Sequence, residues 1–119
     1  MRRLWQALFY SLAGLRDAWG HPACRLEIFA ILVAVPAALA LPVTVTDRLL
    51  LVGSVVALFV VELLNTSIEN AIDRIGAEQH ELSRVAKDVG SAAVLVTALM
   101  AAAIWIGLAG PPLLAMWLG

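Results

Sequence analysis

Of the 119 residues, 62% are hydrophobic and 14% charged, and the mean hydropathy is +0.93. A water-soluble domain of this size has too little interior for that apolar load, so the composition excludes a soluble globular fold and indicates one small, all-α integral membrane domain. Eight Lys and Arg against nine Asp and Glu leave a net charge of −1, with no basic excess to suggest a nucleic-acid partner, and none is expected.

Residues 1–20 open like a signal peptide, with Arg2 and Arg3 ahead of LWQALFYSLAGL, but Arg16 and Asp17 fall where a small-residue cleavage site would be needed. Leu4, Leu8, Leu12, Leu15 and Trp19 lie on one side of a helix, which predicts an amphipathic surface helix with Trp5, Tyr10 and Trp19 at headgroup level. Gly20, His21 and Pro22 end it. A first membrane span is expected at about 26–43, since no charge occurs from Ile28 to Thr46. Pro42 and the segment VTVTD turn the chain on the far side. A second span is expected at 46–75 and a third at about 84–108. Gly110, Pro111 and Pro112 are read as its end, leaving 110–119 as an interfacial tail anchored by Trp117.

Basic residues set the orientation. Arg2, Arg3, Arg16 and Arg25 precede the first span, and Arg74, Arg84 and Lys87 lie between the second and third. Arg48 stands alone on the other side, where it touches acyl chains or headgroups at most. The positive-inside rule therefore puts the N-terminus and the 74–87 turn in the cytoplasm. Cys24 is the single cysteine, with no partner for a disulfide or a Cys-x-x-Cys site, and is read as a small apolar residue near the membrane surface.

The chemistry concentrates in the stretch from Val61 to Leu95. At about 100° per residue, Asn65, Glu69 and Asp73 fall within roughly 60° of Glu62, so all four share one narrow helix face. Ionisable groups inside a membrane helix are functional-site candidates, and three acids without a base among them call for a cation. Glu62 is expected just inside the hydrocarbon edge and Glu69 about 10 Å further along, near water. One carboxylate would then meet a lipid headgroup and the other something dissolved in the cytosol. No G-x-x-x-x-G-K-[ST] loop occurs. The polar set nonetheless suits phosphoryl transfer: carboxylates to hold Mg²⁺ on phosphates, a lysine for their charge, and a carboxylate to take a hydroxyl proton. It suits a proton or cation pathway almost as well.

The runs ELLNTSIENAIDRIG and AEQHELSRVAKDVGSAAVL, with YSLAGLRDAW and the pair Arg25 and Glu27 upstream, resemble the prokaryotic integral-membrane diacylglycerol kinases over most of the chain. The spaced motifs E-x-x-N-x-x-x-E and A-K-D carry the likeness. The resemblance implies a homotrimer of three-span subunits, each with an N-terminal surface helix, in the bacterial inner membrane. It implies phosphorylation of a lipid hydroxyl by MgATP in sites shared between neighbouring subunits. Matched by position, Glu62 corresponds to the general base and Glu69 to a metal ligand that also contacts ATP. Arg3, Tyr10, Glu78, His80, Lys87 and Asp88 correspond to ATP contacts, and Ser91, with Asn65 and Glu27, to the lipid side. The family's Asn-Glu pair after the surface helix, whose glutamate is a second metal ligand, is replaced by Gly20-His21-Pro22 in a segment one residue shorter. Three alternatives are open there: His21 substitutes as a ligand, Glu27 reaches in from the start of the first span, or metal binding is weaker and His21 is only a turn residue. Undecaprenol is the alternative substrate within the fold; a small proton or cation conductor and a catalytically inactive structural subunit are the alternatives outside it.

Overall fold

The computed structural model describes residues 1–76 and 80–119, which form four helices: α1 Arg2–Ala18, α2 Pro22–Ala40, α3 Val45–Ile75 and α4 Glu81–Leu118. The break between α1 and α2 falls at Gly20 and His21, and Pro22 opens α2, where its missing N–H costs no helical bond. Pro42 biases the residue before it away from helix, and Leu41 is extended (φ −71°, ψ 144°), so α2 stops at Ala40. Thr44 caps α3, its side chain accepting the Asp47 N–H at 3.1 Å. Gly76 ends α3, and the His80 side chain caps α4.

α3 is the central helix and packs against both α2 and α4. With 19, 31 and 38 residues, α2, α3 and α4 are each long and apolar enough to cross a bilayer. α3 covers the stretch 46–75 where a second span is expected, and α2 begins before and ends short of the 26–43 expected for the first. α4 continues through Gly110, Pro111 and Pro112 to Leu118, and the interfacial tail expected at 110–119 is a helical extension instead. Each proline removes one helical hydrogen bond and crowds the carbonyl four residues earlier, at a cost of about 3 kcal/mol. The interruption is local: each proline forfeits only the bond from its own nitrogen, and the helix resumes to Leu118, with the Gly119 N–H bonded to Ala115 O.

At the far end of the bundle Ala38, Leu41, Leu51 and Ala109 form a buried cluster, with Ile104, Trp105 and Leu108 packed against it. The Trp105 indole N–H donates to Leu51 O (3.1 Å) and Ser54 Oγ (3.2 Å), tying α4 to α3. Arg48 donates from Nε to Ala38 O (3.0 Å) and from Nη2 to Leu41 O (2.9 Å). Its guanidinium thus closes the open C-terminal carbonyls of α2 rather than reaching for lipid. α1 is exposed along its length apart from Ala18, and the Trp19 ring meets Phe29 edge to face at 5.7 Å, holding the α1–α2 corner.

Candidate functional site

The face of α3 named by the helical spacing becomes more exposed with each turn. Glu62 and Asn65 are buried, at 7% exposure each; Glu69 is half-buried and Asp73 exposed. The cause is packing: the first two positions lie between α3's neighbours, and the last two lie near its end at Ile75. Asn65 donates from Nδ2 to Glu69 Oε1 at 3.3 Å, one helical turn on, so the buried amide steadies the half-buried carboxylate. Glu62 is within electrostatic reach of Glu27 on α2, of Glu69, and of His21 ahead of α2. Two side-chain atoms here are buried without a hydrogen-bond partner, Glu27 Oε2 and Asn65 Oδ1. Such atoms are costly in a protein interior, at about 1–3 kcal/mol each; Asn65 Oδ1 is packed against Gly90 of α4, which leaves Glu27 Oε2 as the one of the two that a ligand could meet.

α4 brings the basic groups to this end. Lys87 donates from Nζ to Asp73 Oδ1 at 2.8 Å, an ion pair between α4 and α3. Arg84 bridges Glu81 and Asp88, with 2.8 Å between Nη1 and Asp88 Oδ2. His80 Nδ1 accepts the Leu82 N–H at 3.0 Å, which puts its ring proton on Nε2. Ser91 is exposed one residue beyond the buried Gly90. Glu78 falls outside the described residues.

Arg3 and Tyr10 stand exposed on α1 and have no hydrogen bond or ion pair to the α3 acids among the described residues. A cleft of about 580 Å³ separates α1 from α3, lined by Ser11, Asp17, His21, Thr66, Ser67 and Asn70 among others. Thus one chain gathers Glu27, Glu62, Asn65, Glu69, Asp73 and Lys87 and leaves Arg3 and Tyr10 apart. Three contacts were not anticipated from the sequence: Asp73 with Lys87, Arg84 with Asp88, and Cys24 with Thr66, whose Sγ and Oγ1 are 3.5 Å apart in the interior. Only the second had a sequence signal, an Arg and an Asp four apart on a helix.

The chain matches the family model of prokaryotic diacylglycerol kinase over residues 9–109. It belongs to that family. The diacylglycerol kinase of Escherichia coli K12 is 48% identical over 104 residues, 87% of this chain and 85% of that protein. The diacylglycerol kinase of Haemophilus influenzae is 39% identical over 100 residues, 83% of this chain and 85% of its own. That of Helicobacter pylori 26695 is 39% identical over 118 residues, 98% of this chain and 89% of its own. With three helices able to span a bilayer, this prokaryotic diacylglycerol kinase family member is a multi-pass membrane protein. The matched region includes α2, α3 and nearly all of α4 up to the end of its buried contacts at Ala109, so both ends of the bundle lie within the likeness.

Proposed function

We propose that the protein transfers the γ-phosphoryl group of ATP to the hydroxyl of diacylglycerol, giving phosphatidic acid at the cytoplasmic face of the bacterial inner membrane. The observation that carries this reading is the graded face of α3, with a buried carboxylate at Glu62 and a half-buried one at Glu69, held one turn from a buried amide. The names of the relatives favour diacylglycerol over undecaprenol.

Glu62 accepts the proton of the lipid hydroxyl. The lipid oxygen forms a bond to the γ-phosphorus while the bond to the β,γ-bridging oxygen breaks, and ADP leaves. Lys87 neutralises phosphate charge, the Nε2–H of His80 donates a hydrogen bond to a phosphate oxygen, and Asp88 orients the nucleotide together with Arg84. Ser91 and Glu27 contribute on the lipid side. Arg3 and Tyr10 reach the nucleotide from the surface helix of a neighbouring copy in a homotrimer, and their separation from the acids within one chain supports shared sites.

The donor set suits Mg²⁺ carried on the nucleotide. No group of three or more His, Cys, Asp or Glu among the described residues could hold a metal ion by itself. Magnesium at phosphoryl-transfer sites takes one or two protein carboxylates and the substrate phosphates. Glu69 would hold the ion, with His21, a nitrogen donor that Mg²⁺ favours less than oxygen, in the position of the family's missing glutamate. The ion supplies charge neutralisation on the phosphates. Glu27, whose Oε2 is unpartnered, stands on the lipid side within electrostatic reach of Glu62 and takes no proton from the hydroxyl.

The test is phosphorylation by the purified protein in mixed micelles with MgATP and either diacylglycerol or undecaprenol. Phosphatidic acid formation, with undecaprenol a poor acceptor, is the expected outcome. A preference for undecaprenol reassigns the substrate, and phosphorylation of neither lipid defeats the reading.

A further inference from the structure

Asn65 presents a second anomaly besides its depth. Its Nδ2 donates to Glu69, but its Oδ1 is buried and unpaired, pressed against α4. The surface it meets is Gly90, itself buried, and a Cβ added there would overlap Oδ1 and stand 3.4 Å from Asn65 Cγ. No side chain larger than hydrogen fits at position 90 while Asn65 keeps this rotamer. Gly14, Gly53, Gly107 and Gly110 have nothing within 4 Å of the corresponding point, and Gly20 and Gly119 meet only a nearby backbone carbonyl, of Asp17 (3.2 Å) and Ala115 (3.0 Å), so among these glycines Gly90 alone faces a side chain of another helix.

We infer that Gly90 is a positioning residue: by lacking a Cβ it seats the Asn65 amide between α3 and α4, turned so that Nδ2 holds the Glu69 carboxylate. The physical chain is short. α3 and α4 cross here closely enough for a Cα–H to face an amide oxygen, a weak contact that tolerates no insertion. An alanine methyl at position 90 pushes the amide aside or spreads the helices, and either outcome lengthens the 3.3 Å hydrogen bond beyond use. Glu69 then keeps its charge but loses its fixed orientation. The same α4 segment carries Lys87 and Asp88 one turn earlier, so the contact also sets the distance between the acid face of α3 and the basic groups of α4.

The inference rests on the proposed kinase reading for its consequence, though not for its geometry. Gly90→Ala, Asn65→Ala and the double variant are compared with the unmodified protein in kinetics and in thermal unfolding. Gly90→Ala is expected to raise the KM for MgATP about ten-fold, the scale of losing one hydrogen bond to a charged group, with the KM for diacylglycerol changed less than about two-fold. It is also expected to lower the unfolding midpoint in the Asn65 background. In the Asn65→Ala background, where no amide is left to displace, the same glycine substitution should change the midpoint little. Equal midpoint losses in both backgrounds would make Gly90 a packing residue unrelated to Asn65 and overturn the inference. A nucleotide KM that stays put while the midpoint cycle is non-additive would overturn the positioning role. If the unmodified protein phosphorylates no lipid, the kinase reading fails instead, and the unfolding cycle still decides whether Gly90 seats Asn65.

Discussion

The two ends of α3 are built on different terms. At the far end, polar groups are few and engaged: Arg48 closes α2 through Ala38 O and Leu41 O, Trp105 and Ser54 both donate to Leu51 O, and Thr44 caps the helix. At the other end, Glu62, Asn65 and Thr66 are buried close together, and both unpartnered buried side-chain atoms found among the described residues, Glu27 Oε2 and Asn65 Oδ1, lie there. Burying polar groups is tolerable when each has a partner and expensive when it has none. The far end is therefore arranged for stability, and the acidic end gives up stability to leave the Glu27 carboxylate without a partner and to seat the Asn65 amide against Gly90. The proposed chemistry belongs to the second.

Several measurements would break or sharpen that contrast. Chelating Mg²⁺ with EDTA should reduce lipid phosphorylation to background and leave the unfolding midpoint nearly unchanged; restored rates on adding Mg²⁺ would show that the ion serves turnover and not the fold. Arg48→Ala should act in the opposite way. It leaves the Ala38 and Leu41 carbonyls unpaired and should lower stability by about 2 kcal/mol, with activity per folded protein retained, as read by unfolding and initial rates together. Asp73→Asn frees Lys87 from an exposed ion pair, so its effect on stability should stay below about 1 kcal/mol. It should also alter the KM for MgATP only a few-fold, since the lysine charge remains.

The pattern of apolar runs made most of the fold legible. A charge-free stretch before Pro42 and the Gly20-His21-Pro22 break define α2, and the 46–75 span is close to the observed α3 because Thr44 and Gly76 are strong local signals. α4 runs past the expected end because Pro111 and Pro112 forfeit only the bonds from their own nitrogens and the helix resumes beyond them to Leu118. At the site, the common face of Glu62, Asn65, Glu69 and Asp73 followed from period alone. What lay beyond reach was anything joining two helices: that Asp73 meets Lys87, that Glu27 comes within electrostatic reach of Glu62, or that a glycine on α4 makes room for an amide on α3. Spacing within one helix carries no record of its register against another.

The central claim is that the buried carboxylate of Glu62 serves chemistry and not packing. It is tested most directly by measuring, on one preparation of Glu62→Gln, both the initial rate of MgATP-dependent diacylglycerol phosphorylation and the unfolding midpoint. The account predicts a rate loss of about a hundred-fold or more, the scale of removing a general base, with the midpoint equal to or above that of the unmodified protein, because a neutral amide is cheaper to bury than a carboxylate. A variant that still phosphorylates diacylglycerol at a rate close to that of the unmodified protein would contradict it.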